Sequence, residues 1–322
     1  MGGGIGPWRP TTVLVEQADW LASSARQRPG GRSGSPNFST EQTAGLFRLS
    51  GLSCSGGVMR ETRQPLAPHN HSDATSNTGI PMHLSIIIPA FNEERLITRC
   101  LQSIATSLAT HSTPGFTSEI IVVDNNSTDN TANLAKETGA HVVFEPINQI
   151  GRARNAGAAA ATGDWLLFLD ADSVLNPELF TDIVRLMEEG NSVGCGSTIC
   201  MHGLPWWATL TLQLWTSTSI LFRLASGALI VCRSDAFRDV GGFNQTVYAA
   251  EEIGLSVALK QWGKPRGLQF VILRTHPLET SARKVTLYSP REIAGQILRV
   301  IFLPRRTLQD KKHLSVWYDG RR

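Results

Sequence analysis

Three short apolar runs, each closing on acidic or amide side chains, set the tightest limit on how this chain can fold. Ile86-Ile87-Ile88 leads into Pro89-Ala90-Phe91-Asn92-Glu93-Glu94, Ile120-Ile121-Val122-Val123 into Asp124-Asn125-Asn126-Ser127, and Trp165-Leu166-Leu167-Phe168-Leu169 into Asp170-Ala171-Asp172. Runs this short and this apolar read as strands, and in an open parallel sheet ligands bind beyond the carboxyl ends of the strands. Three strands that deliver polar side chains to that edge therefore imply one shared site. Asp170 and Asp172 lie two residues apart, so on extended backbone they project from the same face. That pairing suits a divalent metal held against a diphosphate.

The intervening sequence alternates strand and helix. Strands are expected at 84–88, 119–123, 141–144 and 165–169. Helices are expected at about 94–110, at 129–138 after the capping cluster Ser127-Thr128-Asp129-Asn130, and over the Ala-rich 151–161. The β-α-β-α-β-α-β order predicts an α/β fold, a mostly parallel central sheet with helices on both faces. After Asp172 come an amphipathic helix (177–189), a strand (193–201), and an apolar stretch at 205–224 containing Trp206, Trp207 and Trp215. Ser, Thr and Arg223 interrupt that stretch too often for a membrane span; it reads as a buried helix, with a groove-lining or interfacial helix as the alternative. A strand at 228–232, a tight turn at Gly241-Gly242-Phe243, and a helix at 249–262 with Glu251 and Glu252 in its first turn follow. Ser289-Pro290-Arg291-Glu292 is a capping box with Pro at the first helical position, opening an apolar helix through Leu303.

Residues 1–81 differ from this body. Their Gly, Pro and Ser clusters and lack of period predict a disordered leader. They contain no apolar h-region of a secretory signal, and Gly6 breaks the myristoylation pattern that Gly2 invites. Their Arg and Ser content leaves a transit peptide open, and the functional domain is expected to begin at Met82. The net charge of +3 is uneven: residues 82–282 carry 13 basic and 19 acidic side chains, residues 283–322 carry 10 and 3. An acidic body needs cations to bind phosphates. The basic tail fits either a solvated surface or contact with an anionic membrane or phosphate-bearing acceptor. Cys54, Cys100, Cys195, Cys200 and Cys232 are scattered, with no C-x-x-C pair, and read as reduced thiols of a cytoplasmic protein. Three parts result: the leader (1–81), an α/β domain (82–282), and a basic C-terminal helix and tail (283–322).

With these motifs in place, the domain resembles the GT-A glycosyltransferases of family 2 over roughly residues 84–270. Pro89–Glu94, Val123–Asp129, Gly151-Arg152-Ala153-Arg154-Asn155-Ala156-Gly157, Leu169-Asp170-Ala171-Asp172, and Gly241-Gly242-Phe243 followed by Glu251-Glu252 stand in that family's order. The resemblance implies a GT-A fold with a small acceptor-side subregion and a divalent metal, Mg²⁺ or Mn²⁺. It implies a nucleotide-diphospho-sugar donor, UDP- or GDP-linked, and a saccharide or lipid-linked acceptor; no nucleic acid is involved. Pro89, Ala90, Phe91, Glu93 and Asp124 would line the nucleoside pocket, Asp124 recognising the base. Arg154 and Asn155 would lie beside base or phosphates. Asp170 and Ala171 would approach the nucleotide-sugar, with Asp172 and Asp170 on the metal. Glu252 would be the catalytic base of a single inverting displacement.

Each role has a plainer competitor: Asp124 and Asp129 as helix caps, Asp170 and Asp172 as ordinary turn residues, Glu93 and Glu94 as solvated first-turn residues, Arg152 and Arg154 as surface charge, Glu251 and Glu252 as helix-start anions. The chain departs from the family at its closing motif. That motif usually reads Glu-Asp with another acid two residues on, and here reads Glu251-Glu252-Ile253-Gly254. Gln296-Ile297-Leu298-Arg299-Val300 stands where processive synthases carry Q-x-x-R-W, so processive synthesis is not expected. A nucleotidyltransferase on a related fold and a non-catalytic nucleotide-sugar binder are the alternatives. The C-terminal helix, with Ile293, Ile297, Val300 and Ile301 on one side and Arg305, Arg306, Lys311 and Lys312 after it, fits peripheral membrane contact or packing on the domain.

Overall fold

Ile86, Ile87 and Ile88 are all shielded from solvent, although successive side chains of a strand point to opposite faces. The strand that carries them, β1 (Met82–Ala90), is therefore covered on both sides. In the computed structural model, which describes residues 81–111, 113–302 and 304–314, β1 pairs in parallel with β2 (Phe116–Asp124) and β4 (Trp165–Leu169), and β2 with β3 (His141–Phe144). Four more strands extend the sheet: β5 (Ser173–Val174), β6 (Ser192–Cys200), β7 (Leu229–Arg233) and β8 (Gln269–Thr280). β7 lies antiparallel between β4 and β6, β8 parallel to β6, and β5 antiparallel along β8. The eight-stranded order is 3-2-1-4-7-6-8-5. The chain steps from β1 out to β2 and β3, then returns to the other side of β1 as β4. Beyond the carboxyl ends of β1 and β4 lies the point where such sheets hold ligands.

The period-2 alternation sorts the core into two layers. Ile86, Ile88, Val122 and Leu167 pack with Ile97 and Ile104 of α1 (Ile97–Ala109) and with Phe180 and Ile183 of α4 (Pro177–Glu189). Ile87, Ile121, Val123 and Phe168 pack on the other side with α3 (Ile150–Ala160), α6 (Ser234–Asp239) and α7 (Glu251–Gly263). Burial of each such side chain contributes about 1.5–3 kcal/mol. The short α2 (Thr131–Glu137) follows β2. Asn176 caps α4 by accepting from the Leu179 N–H at 2.7 Å, and Gly190 ends it in left-handed backbone.

Several expectations need correction. The apolar stretch expected to be buried forms α5 (Trp206–Phe222), of which only Ala208 and Ser219 are buried. Apolar composition read as core, but the helix lies on the surface. β8 and the short β5 went unread, because Arg274, His276, Pro277 and Glu279 break any apolar run and Pro cannot donate to a ladder. The helix after Glu94 begins only at Ile97. Cys100, Cys195 and Cys232 are free and buried as expected, but Cys200 is disulfide-bonded. The capping box forms: Ser289 Oγ and N–H both donate to Glu292 at 2.8 Å, at the start of α9 (Pro290–Phe302). Among the side chains invoked for membrane contact, those of Ile297, Val300, Ile301, Arg305 and Arg306 lie outside the described residues, as does the leader expected to be disordered, up to residue 80.

Candidate active site

Arg154, on the first turns of α3, is 1% exposed and sits among carboxylates. Its Nη1 donates to Glu251 Oε1 at 2.7 Å, its Nη2 to Asp170 Oδ1 at 2.9 Å and to the Gly227 carbonyl at 2.6 Å. Its guanidinium also lies 5.1 Å from the Phe243 ring centre. Burial alone would lower its pKa, but Asp170, Glu251 and Glu252 hold it above its ordinary value. This residue joins three separate segments: the helix after β3, the Asp170 end of β4, and the first turn of α7. One cation cannot neutralise three carboxylates, and the surplus falls on Glu252. Burial first, then the adjacent Glu251 carboxylate, push the Glu252 carboxyl up to about 8, against the pull of Arg154. A half-buried carboxylate with that affinity for a proton is matched to general-base work near neutral pH.

The loops beyond β1 and β2 are tied to each other. Asn92 is left-handed (φ 53°), a conformation Asn tolerates; its N–H donates to Ser127 Oγ and its Oδ1 accepts from the Thr128 N–H at 2.7 Å. Asp124, buried at the end of β2, accepts from the Ser127 N–H at 2.9 Å. Burial works against the Asp129 charge, but the carboxylate accepts from the Thr131 hydroxyl and from the Thr131 and Glu94 N–H groups, and these bonds lower its pKa overall. Asn125 clamps the β3–α3 loop by donating to the Glu145 and Ile147 carbonyls and accepting from the Gln149 N–H. Gln149 in turn donates to the Gln245 and Val247 carbonyls. Asn155 spends both ends of its amide on the backbone of Phe243, at 2.8 and 2.9 Å. It fixes the glycine turn, where Gly242 (φ 69°) has no room for a Cβ: one would lie 2.7 Å from Asn155 Oδ1.

A second charged cluster forms at the mouth. Arg283, from the start of α8 (Arg283–Leu287), donates to Glu93 Oε1 at 2.6 Å and lies 3.9 Å from Asp172 Oδ2. Burial works against the Arg283 charge, but Glu93 and Asp172 raise its pKa overall. No spacing in the sequence links Arg283 to Glu93, 190 residues earlier. Pro89 and Ala90 close β1, Phe91 follows half-buried, and Ala171 is buried between the two aspartates. The nearby Cys100 thiol is pushed far up by burial and by Asp172 and Asp170, so it stays protonated and is no nucleophile.

No group of three or more His, Cys, Asp or Glu side chains forms a metal cage among the described residues. Asp170 and Asp172 instead offer two hard oxygen donors at one strand end. Mg²⁺ is commonly held by one or two carboxylates together with substrate phosphates, and this pair fits that mode.

The family model for glycosyl transferase family 2 matches residues 85–239. That stretch is similar to family 2 of the glycosyltransferases. The chain is 32% identical over 123 residues to an uncharacterized glycosyltransferase of Mycobacterium tuberculosis, covering 38% of this chain and 52% of the relative. The chain thus spans about half the length of the curated relatives it matches first. In fold it is similar to the mannosyltransferase PcManGT of Pyrobaculum calidifontis, solved with GDP-Man and Mn²⁺ (TM-score 0.53, 17% identity, 74% of this chain and 66% of that one). It is similar also to glucosyl-3-phosphoglycerate synthase of M. tuberculosis, solved with Mn²⁺, UDP and glucosyl-3-phosphoglycerate (TM-score 0.50, 20% identity, 77% and 90%). At these identities the two structures establish the shared GT-A fold.

Proposed function

We propose that the protein is a metal-dependent, non-processive, inverting glycosyltransferase that moves a sugar from a UDP- or GDP-linked donor to a saccharide or lipid-linked acceptor hydroxyl. The observation that carries this reading is the convergence of Arg154, Asp170, Glu251 and Glu252 at the carboxyl edge of a family 2 sheet, with Asp172 and Glu93 beside them. In the reaction, the acceptor oxygen bonds to the anomeric carbon as that carbon's bond to the diphosphate breaks. The acceptor proton passes to Glu252, and a nucleoside diphosphate leaves from the opposite face. A divalent ion on Asp172 and Asp170 would supply charge to the departing diphosphate. The strand-end loop Pro89–Glu93 and Asp124 would hold the nucleoside. Arg154 keeps Asp170 and Glu251 in register, and Asn155 holds the glycine turn in place. Arg283 supplies positive charge beside the phosphates' expected position.

The test is thermal stabilisation of the full chain by UDP, GDP and their sugars, with and without Mn²⁺. Ligand at about 100 times its dissociation constant should add roughly 2.7 kcal/mol. Metal-dependent stabilisation by one nucleotide, lost in Asp172→Ala, is the expected result. No stabilisation by any of them would overturn the donor reading, and binding without turnover across an acceptor panel would overturn the catalytic one.

A further inference from the structure

The apolar side of α5 faces outward. Its 17 residues include no charged side chain, and Trp206, Leu210, Leu214 and Leu221 are 80%, 61%, 69% and 74% exposed. At about 100° per residue these four fall within an arc of about 80°, while the buried Ala208 and Ser219 lie on the opposite side. Ala208 and Ser219 thus face the domain together with the half-buried Leu212 and Trp215, while Trp206, Leu210, Leu214 and Leu221 face solvent with Ser217 among them. A contiguous exposed stripe of this kind marks an interaction face.

The surroundings specify the partner. Arg223 ends α5, the Lys260 ammonium donates to the Phe222 carbonyl at 2.7 Å, and Lys264 lines the same cleft, which carries no acidic side chain. Arg266 lies over the Trp262 ring close by, 3.9 Å from its centre. An exposed apolar stripe with Trp at one end and clustered cations at the other fits a helix lying against a lipid headgroup layer, where Trp is enriched and cations meet anionic lipid.

We propose that α5 seats this protein on an anionic lipid surface, its Trp206–Leu221 stripe in the acyl boundary and the Arg223–Lys260–Lys264 cluster against the headgroups. The seat adjoins the site. Two residues beyond Arg223, the Ala225 N–H donates to Ser256 Oγ, which donates to the Glu252 carbonyl, and the Gly227 carbonyl receives Arg154. Docking is independent of the donor chemistry. On the reading above, it presents the Glu252 side of the site to an acceptor carried by the membrane.

The full chain is floated with vesicles of phosphatidylcholine alone and of phosphatidylcholine with phosphatidylglycerol, at low and high salt. The expected result is flotation with the anionic vesicles, weakened by salt and reduced at least tenfold in Leu210→Glu/Leu214→Glu. Both leucines are exposed, so melting temperature and nucleotide stabilisation stay unchanged in that variant. Arg223→Glu/Lys264→Glu should reduce flotation severalfold. The proposal is overturned by equal binding to neutral vesicles, by wild-type flotation of the leucine variant, or by loss confined to Arg305→Glu/Arg306→Glu. It is also overturned if the stripe only mediates dimerisation, with no lipid binding.

Discussion

Glu252 and Arg154 act as one electrostatic unit, because the single guanidinium is shared among Asp170, Glu251 and Glu252 and leaves the last with a raised proton affinity. If Glu252 is the base it must be ionised, so kcat/KM should rise with pH through about 8 and then level off. Glu252→Gln should lower kcat by roughly 10²–10⁴ while donor-induced stabilisation persists, as measured by initial rates and melting curves on the same preparation. Stability has the opposite pH dependence. With the carboxyl at 4.5 unfolded and about 8 folded, its protonated form contributes stability that is complete below pH 4.5 and is lost as pH rises through 8. Glu252→Gln should therefore be relatively more stable than the parent at pH 9, and denaturant melts at pH 6 and 9 would reveal it. The residue before the acidic pair is strained: Ala250 is left-handed at φ 63°, which costs an L-residue about 1–2 kcal/mol. Ala250→Gly should stabilise the fold by up to about 1 kcal/mol, and a lowered denaturation midpoint would refute the strain argument.

Among the elements, α3 and α7 differ in how closely they are held. A Cβ on Gly157 of α3 would lie 2.4 Å from Ile87 Cγ2 and 2.9 Å from Val123 Cγ2, whereas one on Gly254 of α7 meets nothing within 4 Å. Gly157→Ala should cost about 1–3 kcal/mol through overpacking. Gly254→Ala should be neutral or stabilise by up to about 1 kcal/mol through helix propensity; paired urea melts decide both. The same contrast explains what could be read in advance. β4 and the later halves of β1 and β2 are buried on two faces, so Ile86–Ile88, Ile121–Val123 and Trp165–Leu169 had to be continuously apolar and their ends stood out. The turn at Gly241-Gly242 needed positive φ at both positions and signalled itself through residue type. β8 borrows its order from pairing with β6 and β5, and its own residues are half polar. α5 misled because composition reports how apolar a helix is and says nothing about which way its face turns. The Arg154 bridges were legible as residues, but Gly227 and Glu251 as their acceptors required the tertiary fold.

At the scale of the whole molecule, Arg283 links the last quarter of the chain to the loop after the first strand. Its partners Glu93 and Asp172 are both largely shielded, with Arg283 itself about a fifth exposed. Removing the guanidinium leaves carboxylates with less compensation in a partly desolvated place. A fully buried pair broken in this way loses about 3–5 kcal/mol, and partial exposure here reduces that to roughly 1–2 kcal/mol. Arg283→Ala should accordingly melt earlier in buffer free of divalent ions. If Asp172 is also a metal ligand, Mn²⁺ bound there restores part of the lost positive charge, so the variant should gain more from Mn²⁺ than the parent does. Arg283→Lys should fall between the two, since an ammonium keeps the charge but not the planar guanidinium whose Nη2 stands between Glu93 and Asp172. Scanning calorimetry of parent, Arg283→Ala and Arg283→Lys across a Mn²⁺ titration makes the comparison. An equal metal-induced shift in all three would mean that Arg283 and the metal answer to different carboxylates. A larger shift in Arg283→Ala would mean that the C-terminal segment and the donor site share one electrostatic balance.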